Sequence, residues 1–200
     1  IAATLALDTV RAFFEDPNRT APDSPESLLA CLVDAAQEAN RRILAQATQH
    51  PQQRGMGTTF AGVLAQGAAL CIAHAGDSRV YRLRDQQLDL LTEDHTLLNE
   101  CLWHGMPVDQ AEAMPNRYAL TRALGVHRSI ELSTRLEEAR PGDLLLLCTD
   151  GISKVLAREE IAALLAEAGE LDAAARRFIA RANEAGGPDN ATAVLLRWTL

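Results

Sequence analysis

The sequence has no apolar run approaching the roughly 18 residues that a membrane-spanning helix needs, and no block of lysine or arginine. Its formal net charge is −8. Nucleic acids and anionic membranes are bound by clustered cations, so neither is expected as the main partner. A two-metal nuclease is also disfavoured, because the net charge is negative and aromatic and basic residues are not interleaved.

Cysteine is sparse, and the four cysteines lie far apart without a Cys-x-x-Cys pair. A secreted disulfide framework is not expected at this size and density, which predicts reduced thiols and a cytoplasmic protein. No signal peptide is visible, because Ile1 opens directly on a helical pattern. That start, without an initiator methionine, predicts a chain cut from something longer.

Motifs for nucleophilic catalysis are also missing. The sequence contains no Gly-x-Ser-x-Gly, no Ser–His–Asp arrangement, no phosphate-binding Gly-x-x-x-x-Gly-Lys loop and no cysteine followed by an arginine loop. No side chain in the sequence is therefore recognisable as a catalytic nucleophile.

What is present is an ordinary globular composition, 48% hydrophobic over 200 residues, which suits one domain.

Apolar periodicity predicts helices over residues 1–15 and 25–49, with Ser24 as the N-cap. Short strands joined by tight turns are predicted between residues 58 and 91. Helical texture follows over 95–125, with irregular connections around Met106–Pro107 and Met114–Pro115. Strands are predicted over 130–137 and 144–150, helices over 158–168 and 170–185, and a strand over 191–198. This order predicts an α+β fold with helices packed on antiparallel sheets.

Three aspartates follow apolar strands beside glycine-containing turns: Asp77, Asp150 and Asp189. Converging carboxylates repel one another unless a cation lies between them. Oxygen donors without a His/Cys cluster favour Mg²⁺ or Mn²⁺ over Zn²⁺. The alternative is that each aspartate is simply turn chemistry.

Six motifs raise the metal hypothesis above that alternative. In chain order they are GMGTTF at 55–60, AGDSRVY at 75–81, LTEDHT at 91–96, ALTRALG at 119–125, RPGDLLLLCTDGI at 140–152 and GGPDNATAVLL at 186–196. Together they resemble the metal-dependent Ser/Thr protein phosphatases of the type 2C class. The resemblance implies two antiparallel β-sheets packed as a sandwich with helices on both outer faces, and a cleft holding two Mn²⁺ or Mg²⁺ ions.

The resemblance also implies roles for individual residues. Asp150 and Asp189 match family metal ligands, and Asp94 matches the position that helps to bind a third ion in bacterial members. Asp77 and Asn190 match positions that support the ligands without binding the ions themselves. No catalytic side chain is assigned within this sequence.

Two departures from the family pattern stand out. Lys154 replaces an acidic residue that often follows the Thr-Asp-Gly motif. The front motifs, an Arg- and Glu-Asp-containing stretch and a DGMGGH-type stretch that supplies the metal-bridging aspartate, are not in the sequence. Residues 1–200 are therefore expected to form a single phosphatase-like domain that lacks its N-terminal strands and motifs.

The resemblance implies a signalling enzyme that hydrolyses phosphoserine and phosphothreonine in proteins by means of a metal-activated water. Its expected substrates are proteins that a Ser/Thr kinase has phosphorylated. The fragment alone is expected to be impaired. The alternative is a non-catalytic regulator with the same fold that binds phosphoproteins. His95, beside Asp94, is interpreted either as its hydrogen-bond partner or as a surface or capping residue.

Overall fold

A computed structural model describes residues 1–199, which divide into two compact units. The first unit holds residues 1–77 and 94–137, and the second holds residues 78–93 and those from 138 onward. Each unit contains one sheet and the helices that cover it. None of the helices within residues 1–199 combines the length and the hydropathy that a membrane crossing requires.

In the first unit, helix α2 (Pro25–Gln49) packs against the sheet, and helix α1 (Ala2–Glu15) packs against α2. As predicted, Ser24 caps α2, because its side chain accepts from the Ser27 N–H and the Ser27 side chain accepts in return from the Ser24 N–H. The buried face of α2 is rich in small residues, and three of its alanines are fully buried. Small residues let a helix approach its neighbours closely.

The first sheet has the strand order β1 (Phe60–Gln66), β2 (Ala69–Ala75) and β5 (Ser133–Glu138). β1 and β2 form an antiparallel hairpin that turns at Gly67, whose φ of 55° suits glycine. The prediction of helical texture over 95–125 is correct only in part. Helices α3 (Leu97–Trp103) and α4 (Val108–Ala113) form, but the chain beyond them is irregular. Pro115 and the positive φ of Asn116 are incompatible with a continuing helix.

The second unit is built on the sheet β4 (Gln87–Leu90), β3 (Arg79–Arg84), β6 (Leu144–Cys148) and β7 (Ala193–Arg197), in that order and antiparallel throughout. Its helices are α5 (Asp150–Ser153), α6 (Arg158–Ala166) and α7 (Leu171–Glu184). The apolar run of β6 is almost wholly buried, as expected for a central strand covered by helices. Phe178 of α7, completely buried, belongs to the core cluster over this sheet.

One buried ion pair joins the start of β6 to the end of β3. Arg84 donates from Nε to Asp143 Oδ1 at 2.7 Å and from a terminal nitrogen to Asp143 Oδ2 at 2.6 Å. The Asp143 side chain is only 1% exposed. Burial opposes its ionisation, but the hydrogen bonds from Arg84 and from the Arg140 N–H outweigh burial, so the pKa of Asp143 lies below its ordinary value.

The substitution Asp143→Asn is expected to lower the free energy of unfolding by about 2–4 kcal/mol, because it leaves the Arg84 charge in a largely buried position without its partner. Guanidinium unfolding would measure the change. Asp85→Asn is the matched control, since Asp85 is an exposed turn residue with a φ of 49° that asparagine also tolerates.

The same pair predicts a pH dependence. A carboxylate whose pKa is depressed by folding stabilises the protein above the unfolded-state pKa of about 4, and this stability is lost as the pH falls through the lower folded-state pKa. The difference in the free energy of unfolding between wild type and Asp143→Asn should therefore be constant at neutral pH and decrease below about pH 4. A difference that stays unchanged down to pH 2 would contradict the assignment.

Candidate metal centre

The register of two neighbouring strands brings two sequence motifs together. β6 and β7 are antiparallel, and Cys148 at the end of β6 pairs with Ala193 at the start of β7. The residues that follow β6 and those that precede β7 must therefore lie side by side. We call them the Asp150 loop (residues 149–151) and the Asp189 loop (residues 186–192).

Thr149 joins the two loops through three hydrogen bonds. Its N–H donates to the Thr192 carbonyl at 3.2 Å. Its hydroxyl accepts from the Thr192 N–H at 3.0 Å and donates to the Asn190 carbonyl at 3.2 Å. The hydroxyl thus uses both its donor and an acceptor site across the gap between the loops. A side chain without a hydroxyl at this position could not make the last two bonds.

Gly151 allows the two backbones to approach more closely than any other residue would. A β-carbon at position 151 would lie 2.4 Å from the Asn190 carbonyl oxygen and 2.9 Å from the Asn190 carbonyl carbon. These are backbone atoms, so they cannot swing aside as the end of a side chain could. The Asp-Gly pair is therefore more than a turn signal here, because the glycine sets the distance between the loops.

Asp150 is the first residue of α5, and its side chain is 29% exposed. Its Oδ2 accepts a hydrogen bond from Lys154 Nζ at 2.7 Å. Sequence reasoning recorded Lys154 as a departure from the family pattern but did not pair it with Asp150. The i, i+4 spacing of opposite charges on a helical turn is a signal that could have found the contact.

Asp189 lies on the exposed Asp189 loop, after Gly186, Gly187 and Pro188. Its Oδ1 accepts from the Asn190 N–H at 2.7 Å, so the carboxylate is oriented by its own turn. Asn190 thus contacts both loops through its main chain, the N–H binding Asp189 and the carbonyl binding Thr149. This arrangement presents carboxylate oxygens on both loops of the second unit.

The other predicted residues belong to the first unit. Asp77 is buried at 5% exposure, immediately after Gly76. Asp94 is half-buried, and its carbonyl accepts from the Asn99 side chain at 2.8 Å. Within residues 1–199, no group of three or more His, Cys, Asp or Glu side chains is placed to hold a metal ion. The role of Asp94 at a third ion and the supporting role of Asp77 stay predictions.

His95 is completely buried, so its interpretation as a surface residue is wrong. Its Nδ1 accepts from the Gly76 N–H at 3.1 Å, which leaves the hydrogen on Nε2, 2.9 Å from Ser133 Oγ. Burial, followed by His74 stacked at 4.7 Å and by Arg122, lowers the pKa of His95 to about 4. The ring is neutral near pH 7 and cannot take a proton from Ser133 through Nε2, so the pair is not a nucleophile and its base.

With this geometry in place, comparison with known proteins decides the family. A family model described as protein phosphatase 2C matches residues 1–198. The chain belongs to the protein phosphatase 2C family. The predicted resemblance is therefore confirmed, and so is the α+β class with two antiparallel sheets.

Relatives in this family include bacterial serine/threonine phosphatases. The chain is 39% identical over 175 residues to the serine/threonine protein phosphatase PstP of Mycobacterium tuberculosis, covering 86% of this chain and 34% of PstP. It is 36% identical over 183 residues to the serine/threonine phosphatase stp of Listeria welshimeri, covering 90% of this chain and 72% of that protein. The chain thus spans about a third of the length of PstP.

A solved structure of the PstP catalytic domain is also similar. It superposes with a TM-score of 0.80 at 34% identity, covering 97% of this chain and 79% of that one. That crystal structure is described as a complex with two manganese ions.

Gly151→Ala tests the contact between the loops. Alanine suits a helical backbone better than glycine does, so any loss must come from the collision with Asn190. We expect the free energy of unfolding to fall by about 1–3 kcal/mol. Gly169→Ala is the matched control, because a β-carbon there would meet no atom within 4 Å. Chemical unfolding of both variants makes the comparison, and equal stability of Gly151→Ala and wild type would contradict the contact.

Proposed function

We propose that this chain forms part of a phosphatase that hydrolyses phosphoserine and phosphothreonine esters in proteins with the help of bound Mn²⁺ or Mg²⁺. The observation that carries the proposal is the Thr149 hydroxyl bridge, which holds the Asp150 and Asp189 loops together. Membership of the protein phosphatase 2C family supplies the chemistry that these loops would serve. The manganese ions described for the PstP structure support the choice of metal.

The residues of the second unit fit such an ion. Mg²⁺ is bound by one or two carboxylates and keeps several waters, and Asp150 and Asp189 supply two carboxylates on adjoining loops. Asp150 already accepts from a cationic group, the ammonium of Lys154. Both donors are hard oxygens, which suit Mg²⁺ or Mn²⁺ better than Zn²⁺.

Within the proposal, Asp150 and Asp189 would hold one ion, and Asp94 would help to bind a third, weaker one. Bound divalent ions would supply an activated water and charge neutralisation at the phosphoryl group. Thr149, Gly151 and Asn190 would keep the two carboxylate loops at a constant separation, which limits reorganisation when an ion binds.

A second part of the proposal concerns the 200 residues by themselves. Their sequence lacks the front motifs of the family, including the one that carries the bridging aspartate. We therefore expect these residues alone to hydrolyse phosphate esters weakly, and the full-length protein is the form to assay. The substrates proposed are phosphoproteins made by a Ser/Thr kinase.

Asp150→Asn and Asp189→Asn, each in the full-length protein, should lower kcat/KM by more than about 100-fold. Even groups that only orient metal ligands cost about 10–100-fold when removed. The assay measures hydrolysis of p-nitrophenyl phosphate and of a phosphothreonine peptide, with and without Mn²⁺. Asp172→Asn, an exposed carboxylate at the start of α7, is the control and should keep wild-type activity.

The same assay separates the two candidate functions. Phosphopeptide binding without any Mn²⁺-dependent turnover by the wild-type protein would favour the non-catalytic regulator. Mn²⁺-dependent turnover that survives both aspartate substitutions would place the metal centre elsewhere.

A further inference from the structure

Lys154 is the single lysine in the sequence, although lysine and arginine together number 19. It follows α5, and its N–H donates to the Asp150 carbonyl at 2.9 Å, closing one helical turn. The side chain closes the same turn, with Nζ 2.7 Å from Asp150 Oδ2. The only lysine therefore binds a carboxylate that the proposed function assigns to a metal ion.

We propose that Lys154 competes with divalent cations for Asp150 and so lowers the metal affinity of this site. The inference rests on the proposed function, since it takes Asp150 to be a metal ligand. An ion that binds Asp150 either displaces the Lys154 ammonium from Oδ2 or binds with that positive charge next to it. Both routes weaken binding, because a single charge a few ångströms from a divalent ion changes its affinity by about 10-fold even in a water-like medium.

The exposure and chemistry of Lys154 suit reversible competition. Its side chain is 41% exposed, so solvent can reach the ammonium when an ion takes the carboxylate. An ammonium on a flexible stem is a point charge, whereas an arginine fork binds a carboxylate through two parallel bonds. An exposed i, i+4 ion pair stabilises a helix only weakly, so the structural gain from this contact is small.

Asp189 differs from Asp150 in the hydrogen-bond donor that its carboxylate contacts. Its Oδ1 is bound by the neutral N–H of Asn190, which carries no net charge to oppose an ion. The effect of Lys154 should therefore act mainly through Asp150.

Mn²⁺ binding to the full-length protein, measured by isothermal titration calorimetry or by the electron paramagnetic resonance of free Mn²⁺, tests the inference without an activity readout. Lys154→Met keeps the stem and removes the charge, and it should bind Mn²⁺ about 10-fold more tightly than wild type at low salt. The difference in Mn²⁺ affinity between Lys154→Met and wild type should decrease as salt screens the Lys154 charge. Lys154→Arg keeps the charge and should bind Mn²⁺ no more tightly than wild type.

Arg176→Met is the matched control. Arg176 is exposed and lies in the first half of α7, away from the Asp189 loop that follows the end of that helix. The substitution removes one positive charge from the same unit, so it measures how far net charge alone changes the Mn²⁺ affinity. Its Mn²⁺ affinity should equal that of wild type.

Lys154 also permits a direct readout. Reductive ¹³C-methylation of the full-length protein keeps the positive charge of each lysine, and the Lys154 resonance is identified by its absence from the methylated Lys154→Arg variant. Titration with diamagnetic Mg²⁺ should shift the Lys154 methyl resonance saturably as the ammonium leaves Asp150. The same titration of Asp150→Asn should leave that resonance unchanged.

The outcomes are distinguishable. Equal Mn²⁺ affinity of wild type and Lys154→Met, with binding observed in both, would overturn the competition and leave the proposed function standing. Weaker binding by Lys154→Met would also overturn it, and would show that Lys154 positions Asp150 for the metal. An absence of Mn²⁺ binding in every variant would overturn the competition and the proposed function together.

Discussion

The candidate site depends on the antiparallel pairing of β6 with β7. Because Cys148 pairs with Ala193, the segments beyond that pair continue the ladder, and Thr149 bonds to Thr192 as the next step. A shift of one residue would turn every side chain of β7 to the opposite face and separate the two loops. The apolar, buried sequence of β6 makes such a shift costly, since its side chains are held by the core of the second unit.

Electrostatics supply the second constraint on these loops. Two carboxylates on adjoining loops repel each other, and a cation relieves that repulsion. In the protein alone, Lys154 provides one positive charge on Asp150, while Asp189 is bound by a backbone N–H. Hydrogen bonds within the protein therefore organise the two loops, which would reduce the conformational cost of binding an ion.

Buried polar groups organise the first unit in a comparable way. Asn40 of α2 is completely buried, yet its side chain donates to the His127 carbonyl and accepts from the Gly125 N–H. His95 satisfies both ring nitrogens with Gly76 and Ser133. These bonds hold irregular segments against helix and sheet, where the backbone cannot supply its own partners.

Local pattern by itself determined most of the helix and strand types, the Ser24 cap and the two loops that carry Asp150 and Asp189, because these depend on periodicity and turn chemistry within a few residues. Only the tertiary structure decided which loops meet, since register joins residues more than 40 positions apart in the chain. It also decided that His95 is buried. The i, i+4 spacing of Asp150 and Lys154 in the sequence was sufficient to predict their contact. The consequence of that contact for a metal ion depends on the tertiary neighbours of Asp150, because burial and the distance between loops are properties of the packed chain.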